Sequence, residues 1–354
     1  MLPDILHNHR KPLTHSGTEA DFLSGVTRDD VEEASRVLSK EAVRPPLLSC
    51  TCAEPSGDRS IWVKPENLQP RGSFKIRCSL NAISNLEPAR LSKGIYTAST
   101  GNFALGLTHA ARAREVDVRV YVTETAAKSK IAALRELGAE VIETSFDKWW
   151  AILCGETPDG ENGTFVHPCS GRDVIVGNAT IGQEIFEDLP NVDAILVPFG
   201  GGGLMTGIAL ARTLWGSPAK VYACETEAAT PLYSSFLAGA PVEVPVNPSP
   251  MVTGIGVSTV LQANWPYLSA MVDGVVVSSL DATADAIRRL AKNNHIVVEG
   301  AGAAALAAAD HPFFSGKCVA AVLTGGGIDM HVFAAVMTGD RSGYDAPSRL
   351  RNYE

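Results

Sequence analysis

The sequence predicts a two-domain α/β protein with parallel-rich sheets flanked by helices. Three observations carry this. The chain has 354 residues, and at roughly 150 residues per domain that length suits about two domains. Its middle and late segments alternate short β-branched runs with helical runs, which implies parallel sheets with right-handed crossovers. Three glycine-rich turns, Ser99-Thr100-Gly101-Asn102, Gly200 to Gly203 and Thr324 to Gly327, follow predicted strands, and such sheets bind ligands beyond their C-terminal strand ends. A hydrophobic fraction of 45% with 19% charged residues is that of an ordinary globular protein with a large core. The net charge of -9 gives a nucleic-acid partner no electrostatic support. No run of 18 apolar residues predicts a membrane span.

Residues 1–25 are polar and rich in His, Asn and Ser, and read as a flexible arm without the apolar core of a signal peptide. His7, His9 and His15 belong to that arm and are not taken as metal ligands. Thr27 then caps a helix with Asp29 and Asp30 in its first turn and Val31, Ala34 and Leu38 on one face. "NLQPRGSFKIRCSLNAI" follows, with the turn pair Arg71-Gly72, the capping residue Ser73 and Lys75. "GIYTAS" is a strand and "FALGLTHAARAR" a helix; "DVRVYVT" is a strand, "SKIAALRELGA" a helix closed by Gly138, and "EVIET" a strand. "DAILVPF" leads into "GGGGLMTGIALARTL", then "KVYACE". "DATADAIRRLAKNN" is a helix, "GAGAAALAAA" a tightly packed buried helix, and "CVAAVLT" a strand. The division expected is a large domain from 26–93 and 171–354 and a small one from 94–170.

Lys75 sits between Phe74 and Ile76. A surface lysine packs its stem and leaves its head in water; lysines that attack carbonyls are those whose amine is kept neutral by apolar surroundings. Lys75 alone does not decide between the two. Four consecutive glycines between a buried strand and a helix let backbone N–H groups point at one phosphate, with the helix dipole behind them. No Lys-Ser/Thr follows, so this is not a P-loop. Glu225, about 20 residues on, keeps a dinucleotide reading open, although Thr206 stands where that motif needs its third glycine. At the Ser99 turn, hydroxyls and N–H groups suit a carboxylate or a phosphate, and Asn102 offers an amide donor. Thr324 offers a neutral hydroxyl. Seven cysteines without a CxxC pair read as reduced thiols in a cytoplasm-like compartment.

A Schiff-base lysine, a monophosphate cradle, a carboxylate-binding turn and a neutral hydroxyl together specify pyridoxal 5'-phosphate bound with an amino acid. Here the chain resembles the β-family, or fold type II, of pyridoxal-phosphate enzymes, in the branch of threonine and serine dehydratases and serine racemase. The matching stretches are "ENLQPRGSFKIR", "ASTGN", "VPFGGGGLMTGIA", "VEGAGA" and "LTGGGID", in the family's order and at its spacing, from about Arg44 to about Val336. The resemblance implies that Lys75 forms the covalent link to the cofactor and acts as a base. It implies cofactor contacts from Phe74, Asn102, Gly200, Gly201, Gly202, Gly203, Leu204, Glu299 and Thr324. Substrate contacts would come from Ser99, Thr100, Gly101, Asn102 and Phe103, with Thr100 as a second acid/base.

The resemblance further implies α,β-elimination of a β-hydroxy amino acid to a 2-oxo acid and ammonia, with β-replacement or racemisation as alternatives, in a homodimer. Departures stand beside it. Ser-Thr-Gly-Asn-Phe replaces the family's usual Ser-Ser-Gly-Asn-His, so Thr100 adds a methyl that stiffens its side chain, and Phe103 removes a donor. Thr324 replaces a serine. Glu225 matches one ligand of the racemases' divalent-metal site, but Pro231 falls where a second is needed, so no metal is expected. Trp149-Trp150 read as small-domain core or as the mouth of a substrate site. Arg71 and Arg172 read as solvated.

Overall fold

The computed structural model describes residues 4–8, 21–50, 60–126 and 128–345. Among them the strands are β1 (Asp4–His7), β2 (Leu48–Ser49), β3 (Ser60–Pro65), β4 (Ile95–Ala98), β5 (Val118–Thr123), β6 (Glu140–Thr144), β7 (Thr164–Phe165), β8 (Ala194–Pro198), β9 (Lys220–Thr226), β10 (Gly274–Ser278) and β11 (Cys318–Leu323). They form a seven-stranded sheet in the order β1-β10-β9-β8-β11-β3-β2 and a four-stranded sheet in the order β6-β5-β4-β7. The small sheet is parallel throughout. The large sheet is parallel from β10 to β3 and has an antiparallel strand at each edge. Strands β4 and β8 are buried along their whole length, because helices cover both faces of a parallel sheet.

The arm expected at residues 1–25 is in part a strand: β1 pairs with Gly274–Val277, Asp4 opposite Val277 and His7 opposite Gly274. His7 lies against Phe313, ring centroids 4.9 Å apart. His9 and His15 lie outside the described residues, as does Cys52; the other six cysteines are free thiols.

Thr27 caps the Arg28–Leu38 helix as its sequence indicates, in a reciprocal capping box with Asp30. The Gly300–Ala309 helix is buried at every position; its glycines and alanines let the backbone lie close against neighbouring elements. The Arg172–Asp188 helix is buried from Val174 to Phe186. It meets the Lys75–Ser84 helix at a buried ionic cluster. Arg77 there reaches Glu66 at 2.8 Å and Glu184 at 2.6 Å, and Lys64 reaches Glu184 at 2.6 Å. Burial disfavours the Arg77 charge, but the two carboxylates outweigh it and hold the guanidinium protonated.

Candidate active site

Lys75 is presented by a strained turn. Arg71 and Gly72 both take left-handed backbone, at φ 66° and 68°, a conformation that costs a non-glycine residue about 1 kcal/mol. The turn folds back on the end of β11. Ser73 bridges Gly325, Phe74 N–H donates to the Thr324 carbonyl at 3.1 Å, and Gly326 N–H donates to the Gly72 carbonyl at 2.8 Å. Lys75 and Thr324 are therefore held side by side. Ser73 does not occupy the helix cap itself. Phe74 does, and Ser73 Oγ accepts from Lys75 N–H at 3.4 Å.

The half-buried Lys75 amine donates to the Pro168 carbonyl at 2.7 Å and lies 3.8 Å from Cys169 Sγ. The rings of Phe74 and Phe103 stand 5.1 and 5.5 Å from it. Nothing in the sequence marked Pro168 or Cys169; their partner is 93 and 94 residues away, and no periodic pattern announces such a contact. Burial, with the Lys75 charge adding to it, pushes the His167 imidazole down to about 4. His167 is thus neutral, and its Nδ1 accepts from Cys169 N–H at 2.9 Å.

The glycine run follows β8, where Pro198 closes the strand and lacks an N–H for the ladder. Gly202 is the left-handed N-cap of the Gly203–Leu214 helix, φ 86°, with no side chain capping it. A Cβ on Gly201 would lie 2.3 Å from Cys169 Sγ, and one on Gly203 2.5 Å from the Cys169 carbonyl oxygen. The glycines are required by this close approach of two loops. Asn264 clamps the pair, donating to Gly201 O at 2.8 Å and Cys169 O at 3.0 Å.

The third wall carries Asn102, whose side-chain amide donates to Glu299 Oε1 at 3.0 Å. Glu299 N–H donates to the Gly325 carbonyl at 3.0 Å. Glu299 stands at the N-cap of the Gly300–Ala309 helix but its side chain makes no cap bond. Burial pushes its carboxyl up to about 7, against the opposing pull of Lys130 and of the Asn102 hydrogen bond. Ser99, Thr100, Gly101 and Phe103 line the same cleft as Lys75, Leu204, Thr324 and the glycine run.

Other candidates fall elsewhere. Glu225 is buried and its oxygens accept from Leu232 and Tyr233 N–H at 2.8 and 3.0 Å, so it caps the Pro231–Ala238 helix. No group of three potential metal ligands occurs among the described residues. Arg172 pairs with Asp30 at 2.9 Å. Arg71 reaches His109 at 3.3 Å. Trp149 and Trp150 pack on the core around Ala98 and also line the cleft.

The sequence profile of the family described as "Pyridoxal-phosphate dependent enzyme" matches residues 38–325. The chain belongs to this family. Its cofactor is pyridoxal 5'-phosphate, and it is a lyase of the threonine dehydratase-like type. It is 34% identical to an L-threonine ammonia-lyase of Thermotoga maritima, over 88% of this chain and 78% of that one. It is 30% identical to a serine racemase of Dictyostelium discoideum, over 89% and 99%. A threonine deaminase structure from Solanum lycopersicum superposes with a TM-score of 0.80 at 25% identity, covering 96% and 98%.

The cleft of this pyridoxal-phosphate enzyme fits that cofactor. The N–H groups of Gly200, Gly201 and Gly202 have no acceptor among the described residues, which leaves them for a phosphate at the helix N-terminus. A primary amine, an amide donor and a neutral hydroxyl line the same space.

Proposed function

We propose that the enzyme removes water from a β-hydroxy amino acid by α,β-elimination, releasing a 2-oxo acid and ammonia. The observation that carries this is the placement of the Lys75 amine, 2.7 Å from the Pro168 carbonyl, in a cleft shared with the Ser99 turn, Thr324 and the glycine run. The relatives named above are lyases and a racemase acting on small amino acids.

Pyridoxal 5'-phosphate, when bound, withdraws electrons from the substrate's α-carbon and makes its proton acidic. Lys75 would hold the cofactor covalently and would take the α-proton, with the Pro168 carbonyl orienting its amine. Gly200 to Gly203 hold the phosphate, Asn102 the phenolic oxygen, and Phe74, Leu204 and Glu299 the ring's surroundings. Thr324 would offer the cofactor a neutral hydroxyl, which does not force a proton onto it, and the cofactor would then supply a modest electron sink suited to prompt loss of a β-substituent. Ser99, Thr100 and Gly101 bind the substrate carboxylate beside Asn102 and Phe103. We extend the reading to a small domain at 94–170 that closes over the substrate and excludes water. We also extend it to a homodimer in a reducing, cytoplasm-like compartment; sedimentation equilibrium tests the dimer.

The test of the reaction is direct. Borohydride should fix the cofactor onto Lys75, and Lys75→Ala should abolish turnover with the fold intact. Amino acids supplied alone should yield a 2-oxo acid. Product that forms only with an added thiol or amine would replace elimination with β-replacement.

A further inference from the structure

The wall of the cleft beside the Ser99 turn is aromatic. Trp149, Trp150 and Leu153 come from one face of the Phe146–Leu153 helix, where positions three and four apart are neighbours. They pack on the core that contains Ala98, the residue immediately before Ser99. The wall therefore stands against the strand end that carries the turn. Phe103 adds a fourth apolar group from the turn's own helix. Phe146 continues the aromatic surface outward, stacked on Trp150 at 6.3 Å and 15°. Trp149 Nε1 is buried without a hydrogen-bond partner among the described residues.

Charge is as informative as shape. Of the described residues lining the cleft, only Lys75 and Glu299 carry an ionisable acid or ammonium group, and Glu299 is bonded to Asn102. A second carboxylate or an amine on the substrate's side chain would be desolvated there without a partner. Serine and threonine, at the other extreme, present no surface for two indoles to cover.

We propose that the substrate is a β-hydroxy amino acid whose β-carbon bears an aryl or comparably bulky apolar group, such as 3-phenylserine. This rests on the elimination reading above. The step balances: the α-proton and the β-hydroxyl depart as one water, and a second water hydrolyses the resulting imine to an aryl-2-oxo acid and ammonia, with no oxidant or reductant. Trp149 and Trp150 determine which side chain is accepted. In a fitted apolar pocket one methylene changes kcat/KM by roughly 10–200-fold, so a phenyl ring gives ample discrimination.

The experiment uses the cofactor-loaded enzyme. With 3-phenylserine, kcat/KM for 2-oxo acid formation should exceed that for L-threonine at least tenfold; any smaller ratio overturns the proposal. Trp150→Ala should lower that ratio at least tenfold and Trp150→Phe should keep it within about threefold, both checked for retained visible cofactor absorbance. An unchanged ratio in Trp150→Ala overturns the assignment of the wall. Titration with L-phenylalanine and L-alanine, followed by tryptophan fluorescence, is independent of elimination. Phenylalanine should bind at least tenfold more tightly, and equal affinities overturn the substrate class. If no amino acid yields a 2-oxo acid, the elimination reading fails, and this titration still decides the side-chain class.

Discussion

Asn102 and Glu299 join two walls of the cleft through one hydrogen bond of 3.0 Å, from the amide Nδ2 to the carboxyl Oε1. The two residues are 197 positions apart in the chain. The carboxyl is buried and pushed up to about 7, so the folded protein keeps a proton that the unfolded chain releases near its ordinary value of 4.5. Stability from this group is therefore present below the unfolded value and lost as pH rises through 7.

Glu299→Gln keeps the shape and removes the titration. The apoenzyme variant should gain on the parent by about 3 kcal/mol between pH 4.5 and 8, measured as the difference in their unfolding free energies at each pH. A gap that does not change with pH would show that Glu299 does not titrate in that window.

Arg77 offers a stability test two residues from Lys75. Its guanidinium is buried between Glu66 and Glu184. Arg77→Met leaves two buried carboxylates with Lys64 alone to balance them. Removing one partner of such a pair costs about 3–5 kcal/mol. Urea unfolding should register a loss of that size. A loss below about 1 kcal/mol would mean that water or a structural shift compensates the carboxylates.

Strands β4, β5 and β6 of the small sheet and β8, β9 and β11 of the large one were legible because each is a short run rich in β-branched and apolar residues that alternates with helical runs, whereas β3, β7 and β10 were not read from the sequence. "EVIET" is β6, residue for residue, and "CVAAVL" is β11. Strand β1 was not legible. An edge strand of four residues, exposed at both ends and half-buried between, carries no run that separates it from a polar arm. The site was legible where backbone chemistry forces a residue type, as in the glycine run. Pro168, Cys169 and Asn264 were not, because their roles arise from contacts distant in sequence: Asn264 meets Cys169 and Gly201 across 95 and 63 residues, and Pro168 meets Lys75 across 93.

That loop contact can itself be tested. Gly201→Ala places a Cβ 2.3 Å from Cys169 Sγ and 2.7 Å from its Cβ, closer than atoms can pack, so the glycine run must shift. Cofactor affinity should fall at least tenfold. Cys169→Gly removes both atoms, and the double variant should recover most of the loss. The interaction term of this cycle, read from cofactor titrations of the four proteins, should be large. Additive effects would place the obstruction elsewhere.

Racemisation is the point at which Thr100 and Phe103 bear on chemistry together. Inverting the α-carbon needs a proton donor on each face of the planar carbanion. In the proposed mechanism Lys75 would serve one face. The other needs a hydroxyl within about 3 Å of the carbon, and Thr100 carries its hydroxyl beside a methyl that limits its rotation. Phe103 is buried beneath the turn, 2% exposed, and has no proton to relay. Elimination should therefore proceed with little racemisation. In deuterated water, unreacted substrate should keep its configuration, followed by chiral chromatography and mass; rapid build-up of the deuterated opposite enantiomer would refute this. Thr100→Ser frees the hydroxyl from its methyl and should raise residual racemisation several-fold. If it does not, the missing relay at Phe103 is the barrier, and Phe103→His should raise it instead.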